Sequence, residues 1–133
     1  ILFPNWAEVA RFKNQSKDKK FLCNLGIDPE KKIVLYSGNI HVYKGAEFLI
    51  RLASCLKEYD FFCVGASTYE NDLWRRRSVA ADVSNIHYLD RLPLKDLSQL
   101  IGRVHSCILP NDPSHPMARA SFPLKLMDYL WLF

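Results

Sequence analysis

Two runs in this chain, Ile33-Val34-Leu35-Tyr36 and Phe61-Phe62-Cys63-Val64, are apolar at every position rather than at alternate ones. A strand with one wet face alternates, whereas a strand apolar on both sides must be covered on both sides, as in the middle of a parallel sheet. Each run leads through a loop into a segment with helical spacing. After the first, Ala46 to Tyr59 carries Phe48, Leu49, Leu52, Cys55 and Leu56 as one stripe, and after the second, Tyr69 to Ala81 reads as a helix of weaker periodicity. Ile86 to Leu89 and His105 to Leu109 read as two more strands, separated by a helix from Leu94 to Ile101 that Pro93 opens and Gly102 closes. Strands alternating with helices at this pitch predict a doubly wound, parallel α/β sheet of Rossmann-like type.

The flanks are plainer. Ile1 to Phe3 reads as a short strand stopped by Pro4-Asn5, and Ser16 as the cap of a helix from Lys17 to Leu25 that Gly26 ends. Asn111 to Ser121 is a polar loop with prolines at 110, 113 and 116, and Phe122 to Phe133 reads as a helix that tolerates Pro123 in its first turn.

With 133 residues, 49% of them hydrophobic and 24% charged, the chain has one domain's worth of core, which excludes disorder, collagen and coiled coil. Eighteen basic against 14 acidic residues give a net charge of +4, a mild excess compatible with phosphorylated ligands or anionic lipid. Arg75-Arg76-Arg77, the densest basic run, reads as a solvated helix face, so no nucleic acid is expected. The four cysteines, at 23, 55, 63 and 107, form no zinc-type spacing and fall in apolar segments, which predicts buried free thiols. No apolar run is long enough to span a bilayer. The start at Ile1 without Met and the apolar end Leu130-Trp131-Leu132-Phe133 suggest a piece of something longer.

In doubly wound sheets, ligands bind at the carboxyl ends of the strands. The loop Ser37 to Gly45 has two glycines and Lys44 before a helix, and glycine, free helix N–H groups and a cation together make a diphosphate cradle. It matches neither the Walker loop nor the dinucleotide GxGxxG pattern, and a plain turn with a solvated Lys44 is the other reading. His41 lies in this loop and either touches a ligand or is solvated. The second candidate is Ser121 to Leu130, where Ser121 is placed to cap a helix, Lys125 follows, and Asp128 could accept hydrogen bonds from sugar hydroxyls. Its plainer reading is an amphipathic helix burying Leu124, Met127 and Leu130. His115 in the preceding loop could line a sugar pocket, while His87 and His105, in strand patterns, read as structural.

These residues carry a resemblance. Leu35-Tyr36-Ser37-Gly38-Asn39-Ile40 with Lys44-Gly45 resembles the phosphate loop of the nucleotide-sugar domain in retaining, group 1 GT-B glycosyltransferases. Ser121-x-Pro123-x-Lys125-Leu126-x-Asp128-Tyr129 is similar to that family's later donor motif, S-x-P-x-K-L-x-E-Y. The opening Leu2 to Phe12 resembles the linker into that domain in transferases of bacterial exopolysaccharides such as colanic acid.

The resemblance implies a GT-B C-terminal domain over 16–133, incomplete at its end, after an interdomain linker over 1–15, with the N-terminal acceptor domain missing. It implies that Lys44 acts catalytically on the donor diphosphate and that Gly38 and Asn39 line the loop beside it. Ser121, Phe122 and Pro123 would hold the distal phosphate with Lys125 nearby, Asp128 would bind the ribose, and Arg91 and Leu92 would meet the base. No metal and no cofactor beyond a nucleoside-diphosphate sugar is implied, and the acceptor is a glycan or lipid-linked sugar. A cytoplasmic setting follows, with room for peripheral membrane contact by the full-length protein, and the isolated piece should not transfer sugar.

Three positions depart from the pattern. Asn39 stands where many members have Arg, Asp128 where Glu is usual, and Ala120 where a first Glu would be paired with it. These departures favour the rival reading, a non-catalytic Rossmann-like nucleotide-binding or scaffolding module.

Overall fold

The computed structural model describes residues 20–112, 114–116, 125, 126 and 129. Their elements run α1 (Lys20–Asn24), β1 (Lys32–Ser37), a 3-10 turn (Val42–Lys44), α2 (Ala46–Cys55), β2 (Tyr59–Ala66), α3 (Thr68–Ala80), β3 (Ile86–Asp90), α4 (Leu94–Ile101) and β4 (Ser106–Cys107). The four strands form one sheet in the order β3-β2-β1-β4, and every pairing is parallel. The doubly wound α/β reading is therefore correct.

Both apolar runs are central strands, buried on both faces. On one face Val34, Tyr36, Phe61 and Cys63 meet Leu49, Ile50 and Ala53 of α2 and Trp74 of α3. On the other, Ile33, Leu35, Phe62 and Val64 meet Leu22 of α1, Leu100 and Ile101 of α4, and Tyr129. The strand period of two sends successive side chains to opposite layers, so continuous apolarity is what this sandwich requires.

Two of the differences from the expected boundaries have a visible cause. The helical stripe ending at Tyr59 is cut at Cys55, and Tyr59 and Asp60 belong to β2. A distant side chain ends the helix: buried Asn85 donates through Nδ2 to the carbonyls of Ala53 (3.0 Å), Leu56 (3.0 Å) and Tyr59 (2.8 Å). It thus gives one shared donor to the carbonyls where α2 passes into β2, of which that of Leu56 also accepts the Tyr59 amide (3.2 Å). The strand expected over 105–109 shrinks to Ser106–Cys107. Here the Ile33 amide donates to His105 Nδ1 (3.1 Å), so a side-chain nitrogen takes the bond a strand carbonyl would have taken.

The cysteine expectation holds in part. All four are free, but only Cys63 is buried; Cys107 is half-buried, and Cys23 and Cys55 are exposed. Both exposed thiols lie near the ends of helices whose apolar faces are carried by other residues, Leu22 in α1 and Leu49, Ile50 and Ala53 in α2. Among the described residues no helix is long and apolar enough to cross a membrane.

Candidate functional site

The loops after β1 and β2 meet backbone to backbone. The Gly38 amide donates to the Val64 carbonyl (2.6 Å), and a Cβ on Gly65 would lie 3.3 Å from Gly38 Cα. Gly38 has a φ of +126°, a region that side chains rarely adopt, and a Cβ there would overlap Cε and Nζ of Lys125. The Lys125 ammonium therefore lies directly over the Gly38 α-carbon, and it is 5.8 Å from the centroid of the Tyr36 ring. Tyr36 in turn donates its hydroxyl to the Asn39 carbonyl (2.9 Å), fixing the turn that follows.

Around this contact opens a cleft of about 380 Å³, lined by Ser37, Gly38 and Asn39 after β1, Val64 and Gly65 after β2, Arg91 and Leu92 after β3, Leu94 and Leu97 of α4, and Lys125. Among these described residues two are cationic and none is acidic. The volume lies within the range of small-molecule sites. The end of β3 that delivers Arg91 and Leu92 is tied down by Asn71 Nδ2, which donates to the Asp90 carboxylate (2.8 Å).

The structure thus brings Gly38, Asn39, Arg91, Leu92 and Lys125 to one cleft. Lys44 is placed elsewhere. It closes the 3-10 turn with its Nζ 5.7 Å from the Tyr43 ring centroid, near enough to Glu70 to stabilise that carboxylate, and it is not among the residues lining the cleft. Ser121, Phe122, Pro123 and Asp128 lie outside the described residues.

The segment from Asn39 to the start of α2 is braced from two sides. Trp74 Nε1 donates to the Ile40 carbonyl (3.3 Å), and Arg77 pairs with Glu47 (2.6 Å). His41 is not in the described cleft lining and stays partly solvated, its side chain 39% exposed: its Nδ1 is 3.4 Å from Glu70, and its ring stacks on Tyr43, which stacks on His115. Hydrogen bonds from the Ser67 amide and hydroxyl hold the Glu70 carboxyl below the usual carboxylate range, and His41 and Lys44 add to this. His87 stacks on Phe62, as a structural strand residue should.

A larger groove of about 520 Å³ lies between the start of α2 and the segment after β4. Its charged lining is Glu47, Arg51 and Asp112, two acids to one base, and among its described residues it has no lysine. That balance suits an anion less well than the Gly38 cleft does.

Sequence reasoning gave no role to Tyr129. Its hydroxyl accepts from the Ser37 amide (2.9 Å) and shares a second hydrogen bond with Ser37 Oγ (2.9 Å), both buried. The available signal was the spacing of Lys125 and Tyr129, four apart and therefore on one helix face.

No protein-family model matches the chain. Over 60 residues it is 45% identical to the Escherichia coli (strain K12) protein described as "Putative colanic acid biosynthesis glycosyl transferase WcaI", a match covering 44% of this chain and 15% of that one. Among solved structures, sucrose-phosphate synthase from Thermosynechococcus elongatus superimposes with a TM-score of 0.65 at 17% identity, over 88% of this chain and 31% of that one. The chain thus spans a minor part of both proteins, and the second likeness speaks for the fold alone. In local sequence the chain is similar to a protein described as a glycosyl transferase, and in fold to sucrose-phosphate synthase.

Proposed function

We propose that this chain is the donor-binding part of a retaining glycosyltransferase that moves a sugar from a nucleoside-diphosphate sugar to a glycan or lipid-linked acceptor. The observation that carries this reading is the Lys125 ammonium over Gly38, in a cleft whose described lining holds two cations and no carboxylate, at the carboxyl ends of three parallel strands. A glycine floor lets a diphosphate approach the main chain closely, and a cation above it stabilises the charge that develops as the nucleoside diphosphate leaves. Lys125 supplies that positive charge from its side chain, and the reading invokes no metal ion. By the resemblance Lys44 acts on the same diphosphate, reaching it from the 3-10 turn outside the described lining, and Asn39 lines the approach. Arg91 and Leu92 meet the base, and Ser121, Phe122, Pro123 and Asp128 complete the phosphate and ribose contacts.

The acceptor would be supplied by a second domain facing this cleft, and the present chain alone would not transfer sugar. The likeness to a colanic acid glycosyl transferase supports a polysaccharide acceptor.

Calorimetric titration with UDP, GDP and their sugars tests the reading. The parent should bind at least one of them below millimolar, Lys125→Ala should weaken binding about tenfold or more through loss of a charge-assisted contact, and Lys44→Ala and Asp128→Ala should weaken it as well. No binding below millimolar, or indifference to all three substitutions, would sink the donor-site assignment and favour a scaffolding module.

A further inference from the structure

We infer that Tyr129 is a positioning residue: its phenol latches the helical segment of Lys125 to the end of β1, and the latch holds the Lys125 ammonium over Gly38.

Residues 125, 126 and 129 are helical, so Lys125 and Tyr129 lie one turn apart on the same face. Tyr129 is 5% exposed and its ring belongs to the apolar layer with Leu35, Val64 and Leu100. Its hydroxyl has a task that packing alone does not require. It accepts the amide proton of Ser37, the last residue of β1, and exchanges a hydrogen bond with the Ser37 hydroxyl, itself on a residue 4% exposed. The next residue along the chain is Gly38, whose α-carbon lies under Lys125.

Two helical residues four apart thus carry a cation and a fastener, and the fastener grips the backbone adjoining the cation's target. A buried amide has no water to fall back on, so removing the phenol oxygen leaves the Ser37 N–H unpaired and frees the segment to shift. An ammonium that moves by an ångström no longer meets a ligand held on the glycine floor.

This inference rests on the donor-site reading, and the experiment separates the two. UDP, GDP and inorganic pyrophosphate are titrated into the parent, Tyr129→Phe, Lys125→Ala and the double variant. The expected result is an affinity loss of about tenfold for Tyr129→Phe, the size of the charge-assisted Lys125 contact that a displaced ammonium forfeits, and less than twofold further loss when that change is added to Lys125→Ala. A purely structural role would weaken both backgrounds equally, and an additive double variant therefore overturns the inference, as does an unchanged Tyr129→Phe. In those cases the parent still binds and the donor-site reading stands. A parent that binds none of the three overturns the reading and the inference together. Should Tyr129→Phe fail to fold, Ser37→Ala removes the hydroxyl half of the same latch and is read identically, with a smaller expected loss of about threefold.

Discussion

The carbonyl oxygen of Pro110 occupies the space where a side chain on Gly45 would begin. Gly45 also has a φ of +76° and precedes the first residue of α2, so it turns the chain from the 3-10 turn into the helix while lying flat against the segment after β4. Gly45→Ala adds left-handed backbone strain to a clash with main chain that has little room to yield. The two together should cost roughly 2–4 kcal/mol. Urea unfolding followed by far-ultraviolet circular dichroism should show a lowered midpoint with an unchanged slope.

Asn85→Ala should be costly for a different reason. It leaves the carbonyls of Ala53, Leu56 and Tyr59 without their shared donor and opens the junction of α2 and β2. A loss of about 2–3 kcal/mol follows from buried acceptors left unpaired. Hydrogen exchange should speed up at the end of α2 before it does so in β1; uniform exchange would contradict a local role for Asn85.

Glu70 and Ser67 form a capping box at the start of α3. Because the folded state holds the Glu70 carboxyl below its ordinary range, this contribution is complete above the unfolded glutamate value of about 4.3 and disappears as pH falls through the lower folded value. Glu70→Gln should therefore be less stable than the parent at neutral pH by about 0.5–1 kcal/mol, and the gap should close toward pH 3. Thermal melts across that interval provide the measurement, and a constant gap would exclude the ionised carboxylate as its source.

Thiol chemistry should divide the cysteines in two. Burial pushes the Cys63 and Cys107 thiols up to about 12, so neither offers thiolate at neutral pH, whereas Cys23 and Cys55 are exposed. Reaction with a chromogenic disulfide should modify Cys23 and Cys55 rapidly and the other two only after denaturation. Fast labelling in the Cys23→Ser, Cys55→Ser double variant would contradict this.

The sheet was legible because Ile33 to Tyr36 and Phe61 to Val64 state their double burial without reference to anything distant. The Leu94–Ile101 helix was equally plain, since Pro93 and Gly102 mark its ends locally. What escaped was decided across the fold. The end of α2 depends on an amide 29 residues beyond Leu56, and β4 shortens because a ring nitrogen 72 residues from Ile33 takes an amide proton. Cys23 and Cys55 misled because an apolar neighbourhood in sequence does not say which side of a helix a thiol occupies. Within the candidate site, the glycine loop and Lys125 were visible as motif residues. Their convergence was not, because the spacing that fixes it is between layers rather than along the chain.

The main-chain contact between the loops of Gly38 and Gly65 has a thermodynamic consequence. Glycine-rich loops usually surrender conformational freedom when a ligand arrives, and that loss subtracts from affinity. Here the Gly38 amide is already held by the Val64 carbonyl and the two loops rest on one another. That disorder has been given up during folding, so under the proposed function the Gly38–Gly65 contact would add no ordering cost when an anion binds.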